Sequence, residues 1–159
     1  MAKREYSTKL MQIAQKNLDK QNIKYDSDDD NGILTIKLPL GKDSMLNSDT
    51  TRVIILSSAI VSYSIPPISA NESKMDAVAE FITRANYGLR KVNFELDYND
   101  GEIKCKCFNH WENQSPTEEE IDDVMFFPHY MWQKYGNGLS KVIFGDANPK
   151  LVIDEIENA

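Results

Sequence analysis

Two cysteines, two histidines and seven glycines are all this 159-residue chain has of the residues that build metal sites, disulfide frameworks and phosphate-cradling loops. Each scarcity excludes something. Cys105 and Cys107 stand two apart on one predicted strand, so their side chains share a side, a poor geometry for bridging each other. A disulfide-stapled secreted scaffold is therefore excluded, and two reduced thiols in a cytoplasm are the expectation. Neither His110 nor His129 has a cysteine, histidine or carboxylate at the spacing of a zinc motif. The glycines are scattered among turns and form no phosphate loop. No apolar run approaches the roughly 20 residues that span a bilayer. The start, Met1-Ala2-Lys3-Arg4-Glu5-Tyr6, lacks the apolar core of a secretion signal. Bases are also short. Against 25 Asp and Glu stand 18 Lys and Arg, and the net charge of -7 argues against clamping a nucleic-acid backbone.

What remains is the composition of one globular domain over residues 1–159, 41% hydrophobic and large enough for a real core. Leu10, Ile13, Ala14 and Leu18, with Met11 beside them, predict a helix from Ser7 to about Lys20. Asn31-Gly32 is a two-residue hairpin signal, and the register it implies sets Tyr25 against Leu38 and Asp26 against Lys37. Residues 41–50 lack periodicity and read as a loop. Residues 51–65 read as one long third strand, with Val53, Ile55, Ala59, Val61, Tyr63 and Ile65 on its apolar face. Pro66-Pro67 ends it. Asn71 suits the N-cap of a second helix carrying Met75, Val78, Ala79, Ile82 and Ala85, which stops near Tyr87-Gly88.

Asp100-Gly101 then gives a second two-residue turn. It sets Tyr98 opposite Ile103, Leu96 opposite Cys105 and Phe94 opposite Cys107, with Glu95 against Lys106 and Asp97 against Lys104 on the other face. A turn at Asn99-Asp100 would keep the faces but place Asp97 against Glu102, so the first register is preferred. Ser115-Pro116-Thr117-Glu118 matches a capping box, and Glu118, Glu119 and Glu120 crowd the positive end of the helix that follows. Pro128 should kink or interrupt that helix, and Gly136-Asn137-Gly138 should break it. Asn148-Pro149 caps a short last helix. The predicted class is α+β, in the order α-β-β-β-α-β-β-α with an extra C-terminal helix and an antiparallel sheet packed by helices.

Chemistry is sparse along this chain. Asp26-Ser27-Asp28-Asp29-Asp30-Asn31-Gly32 resembles a calcium loop but has Asn31 where glycine belongs and Lys37 where the bidentate glutamate belongs, so a solvated turn is the better reading. The cysteines read as core, because Lys104 and Lys106 face the other way and leave no electropositive setting. No catalytic, cofactor-binding or metal-binding residue is assigned. Trp111, Phe126, Phe127, Tyr130, Trp132 and Tyr135 form the densest aromatic cluster, which serves either as core or as a surface for a protein partner or a second copy.

One family pattern emerges from the second half. Asn86-Tyr87 at the end of the second helix, Val92-Asn93-Phe94-Glu95-Leu96-Asp97, Asp100-Gly101-Glu102-Ile103 and Thr117-Glu118-Glu119-Glu120-Ile121 carry it. They are joined by Tyr135, Leu139, Val142, Gly145, Pro149 and Ile153. This resembles the YbjN family within the type III secretion chaperone-like fold, over about residues 71–157; the first seventy residues match only in element order. Pro128 departs from that family's uninterrupted helix. The resemblance implies a bacterial, non-enzymatic protein-binding module with a chaperone- or adaptor-like role, a homodimer with a protein partner, using no cofactor, nucleic acid or membrane. It carries over no catalytic residue. The self-paired charges of the second hairpin place the binding surface on the helices instead. Two other readings stay open: an immunity or inhibitor protein whose acidic 112–123 segment masks a basic toxin, and an enzyme using His110 or His129 with nearby acids.

Overall fold

Alternating strands and helical stripes assemble into a six-stranded antiparallel sheet, ordered β1-β2-β3-β4-β6-β5. The computed structural model describes residues 3–159. Along the chain run α1 (Thr8–Lys20), β1 (Tyr25–Asp28), β2 (Ile33–Pro39), β3 (Ser48–Ile55) and β4 (Ala59–Ile65). They are followed by α2 (Met75–Gly88), β5 (Val92–Leu96), β6 (Ile103–His110), α3 (Glu118–Gly145) and α4 (Pro149–Glu157). The α+β class, the antiparallel sheet and the extra C-terminal helix are as the sequence predicts. α3 lies along β3, β4 and β6, α2 lies on β5, α1 packs on α3, and α4 packs on α2 and α3.

Several local expectations need correction. The predicted long third strand is two strands, because Leu56 N–H donates to Ala59 O at 2.8 Å and closes a tight turn over Ser57-Ser58. That turn reverses the parity of the second half. Ile60, Ser62 and Ser64, rather than Val61, Tyr63 and Ile65, face the helices. Both predicted hairpin registers also shift by two residues. Tyr25 pairs with Ile36, and Leu96 pairs with Ile103 and Phe94 with Cys105. Each loop has four residues rather than two, with a glycine at positive φ in its last position, Gly32 at 63° and Gly101 at 77°. An aspartate closes each loop from its first strand: Asp28 Oδ1 accepts from Asn31 N–H at 3.2 Å, and Asp97 Oδ1 accepts from Asn99 N–H at 2.8 Å. The carboxylate of Asp97 is thus held in the turn, which removes the repulsion from Glu102 that disfavoured this register.

The capping box likewise lies two residues beyond its expected place. Thr117 Oγ1 accepts from Glu120 N–H at 3.1 Å, and Glu120 Oε2 accepts from Thr117 N–H at 2.8 Å. From there α3 runs for 28 residues without interruption, through Pro128 and through both glycines. Pro128 leaves the carbonyl of Val124 without its helical donor. The hydroxyl of Ser62 on β4 supplies the missing bond. Gly136 and Gly138 are there for approach: a Cβ on Gly136 would stand 2.7 Å from Leu46 Cδ1, and one on Gly138 2.8 Å from Val152 Cγ1. Replacing Ser62 by alanine is expected to cost about 1–3 kcal/mol, the penalty of a bare buried carbonyl. In a Pro128→Ala background the restored N–H takes that carbonyl and most of the loss should disappear. Denaturant titration of the double-mutant cycle checks this, and equal losses in both backgrounds refute it.

Candidate functional site

Besides Ser62, the polar residues on the helix-facing rows of the sheet gather in one centre. Asp49, the second residue of β3, lies inside the segment expected to be loop, and its carboxylate is fully buried. The Nδ1–H of His129 donates to Asp49 Oδ1 at 2.5 Å, and the hydroxyls of Thr51 and Ser64 donate to Oδ2, the first at 3.2 Å. Trp132 Nε1–H donates to Ser64 O at 3.1 Å. The centre fastens β3 and β4 to the one turn of α3 that follows Pro128. His129 therefore has an acid partner, as the enzyme reading asked, but both neighbouring hydroxyls are spent on Asp49. His110 lies elsewhere, at the surface, with Nε2 3.0 Å from Ser58 Oγ.

Among the described residues, no helix packs on the other face of the sheet. Cross-strand pairing places Ile33, Ile54, Val61 and Phe108 in one continuous row over β2, β3, β4 and β6. The first three are half-buried, and Phe108 is 54% exposed. The next row runs Asp26, Thr35, Arg52, Tyr63, Lys106 and Asn93. Lys104 Nζ stands 4.7 Å above the Tyr63 ring. Glu95, on the edge strand β5, takes Lys106 and, at 3.6 Å, Lys104. Burial alone would raise the Glu95 carboxyl, but hydrogen bonds from Lys106 and Asn93 and the two lysine charges outweigh it and hold it below the usual range. Lys37 and Arg52 have no ion-pair partner among the described residues. The middle of this face is thus apolar and basic, and its acids, Asp26, Asp28 and Glu95, sit on the two edge strands.

Of the six aromatic candidates, Trp111, Phe126, Trp132 and Tyr135 are buried, and a partner cannot touch them without opening the fold. Phe94 ties two of them together, with its ring 5.0 Å from that of Trp132 and 5.5 Å from that of Tyr135. Phe127 is half-buried under Lys91 Nζ at 5.0 Å, and Tyr130 is 48% exposed. Cys105 and Cys107 lie in the core, where burial raises the Cys105 thiol and pushes that of Cys107 up to about 11. The acidic segment is less free than its composition suggests. Glu118 meets Lys20 at 2.8 Å, Asp123 meets Lys91 at 2.9 Å, Asp122 accepts from Asn17 Nδ2 at 3.2 Å, and Glu120 is in the capping box. No group of three or more His, Cys, Asp or Glu among the described residues could hold a metal. No helix in the described residues is long and apolar enough to cross a membrane.

Neither a protein-family profile nor a curated protein sequence matches this chain. Among solved structures, the crystal structure of YbjN from E. coli, described as a candidate transcription regulator, superposes with a TM-score of 0.51. The match covers 93% of this chain and 91% of that one at 13% identity. The fold is YbjN-like. A YbjN-like fold accounts for the sheet with helices on one face, and it leaves the other face of this chain open. The residues missing from the sequence-based candidates are those of that face and, His129 apart, those of the Asp49 centre. Asp49 escaped because its segment has no periodicity. The open-face row escaped because Ser57-Ser58 has neither glycine nor asparagine to announce a turn, and without the turn the parity of Val61 and Tyr63 is read backwards.

Proposed function

We propose that this chain is a non-catalytic protein-binding module of chaperone- or adaptor-like type, and that its partner lies on the open face of the sheet. The observation that carries this reading is the row Ile33, Ile54, Val61 and Phe108, an apolar strip left uncovered in the middle of a face whose central charges are Lys37, Arg52, Lys104 and Lys106. On a chain of net charge -7, a basic apolar strip favours an acidic segment that turns apolar side chains to the sheet at every second residue. Resemblance to secretion chaperones, which hold extended partner segments, supports the same reading and brings with it a homodimer. With Trp111, Phe126, Trp132 and Tyr135 buried, this reading takes the sheet rather than the aromatic cluster as the binding surface.

The test is capture from an extract of the native host by the wild-type chain and by an Arg52→Glu, Phe108→Glu variant of unchanged circular dichroism. The wild type should retain a protein that the variant loses, with capture weakening as salt rises. Wild-type beads that retain nothing, or a variant that retains the same protein equally well, would sink the proposal. Light scattering checks the homodimer, and a strict monomer removes it.

A further inference from the structure

β5 is one edge of the sheet, and an uncovered edge is a template on which another strand can pair. In an antiparallel ladder every second residue turns its N–H and C=O toward the neighbouring strand. Asp97 N–H donates to Glu102 O at 2.9 Å, which makes this a hydrogen-bonded pair and assigns Glu95 and Asn93 to the same inward set. Val92, Phe94 and Leu96 therefore turn their backbone groups away from β6, with Phe94 at the centre. Both outward groups of Phe94 are taken by one side chain. Its N–H donates to Asn86 Oδ1 at 2.7 Å, and its C=O accepts from Asn86 Nδ2 at 3.0 Å.

A primary amide presents donor and acceptor side by side, so Asn86 makes the two bonds that a residue of an adjoining strand would make. It does so from the last turn of α2, next to the chain reversal that leads into β5. The opposite edge is guarded differently: β1 carries exposed Asp26 and Asp28 and runs into Asp29 and Asp30, so charge alone discourages pairing there. β5 carries one charge, Glu95, and that is neutralised by Lys104 and Lys106. Its sequence Val92-Asn93-Phe94-Glu95-Leu96 alternates apolar and polar residues symmetrically about Phe94. A twofold axis at Phe94 would set Phe94 against Phe94 as a hydrogen-bonded pair. It would also set Val92 against Leu96 and Asn93 against Glu95, with apolar side chains on one face and polar ones on the other.

We propose that the outer edge of β5 is a strand-pairing site for a second copy of this chain, and that Asn86 holds it shut. The site is separate from the open face, and the two readings stand or fall independently.

The experiment is light scattering behind size exclusion, over a range of concentrations, on the wild type and on Asn86→Ala. The variant should double the mass of the wild-type species as concentration rises. Adding Asn93→Glu should return it to the wild-type mass, since the introduced carboxylate of one copy then meets Glu95 of the other and like charges directly opposite repel. Within its own chain that carboxylate would face Lys106 but lose the hydrogen bond from Asn93 to Glu95, so the Asn93→Glu single variant, with unchanged circular dichroism and wild-type mass, is the control for the fold. Asn86→Asp retains the acceptor for Phe94 N–H but loses the donor to its carbonyl; it should double only at the highest concentrations, and it answers the question if Asn86→Ala does not fold. Hydrogen exchange supplies a second readout: the Phe94 amide is protected in the wild type at all concentrations and in Asn86→Ala only where the mass has doubled. Wild-type mass in both Asn86 variants at every concentration would overturn the proposal, as would a doubled mass that survives Asn93→Glu.

Discussion

Alanine in place of Asp49 is expected to cost about 3–5 kcal/mol of folding stability, the range for removing one member of a buried, hydrogen-bonded pair. Three donors converge on that carboxylate, from His129, Thr51 and Ser64, and all four residues are buried or nearly so. Removing Asp49 leaves a buried imidazole N–H and two buried hydroxyls without their common acceptor. Such a loss is a large fraction of a small domain's stability. The loss has a second signature. His129→Ala strands the carboxylate in turn, so the Asp49→Ala, His129→Ala double variant should lose less than the sum of the singles. Urea titration monitored through the buried tryptophans measures all three variants. Strict additivity, or a loss below about 1 kcal/mol for Asp49→Ala, would show that the centre holds nothing together.

Trp132→Ala should cost about 3–5 kcal/mol, the usual range for deleting a buried aromatic. The indole is 1% exposed, meets the edge of Phe94 at a ring separation of 5.0 Å and donates to Ser64 O. Its removal opens a cavity beside Phe94 and removes the indole donor from Ser64 O. Tyr130→Ala, two residues earlier on the exposed side of α3, should stay within about 0.5 kcal/mol of the wild type. This contrast decides what the aromatic cluster does. If Trp132→Ala left thermal stability unchanged and abolished partner capture, the cluster would be a surface after all.

Much of the fold is legible along the chain because burial imposes a period. The stripe Leu10, Ala14 and Leu18 and the alternation Ile103, Cys105 and Cys107 each name an inward face without reference to anything distant. The cap at Asn148 is legible too, since it satisfies a donor three residues on, whereas the capping box begins at Thr117 and not at Ser115. The errors of register have one cause. A four-residue loop and a two-residue loop share parity, so both keep Phe94, Leu96 and Cys105 on the core side, and the apolar pattern cannot tell them apart. What separates them is the side chain of Asp97 folding back to Asn99 N–H, a choice made by turn geometry.

By itself the sequence determined which side of the helices and of every strand but β4 is wet, where α1 and α4 begin, and that the two cysteines are core residues. Those are consequences of local hydrogen bonding and of the cost of exposing apolar surface. Only the tertiary structure decided that α3 continues through Pro128, because the donor that completes Val124 comes from Ser62 on another element. It also decided that Asp49 meets His129, that Ile33, Ile54, Val61 and Phe108 form one row, and that Asn86 closes the edge of β5. The physical reason is the same in each case. A buried polar group or an open strand edge must find a partner in space, and the chain sequence does not state how far away that partner lies.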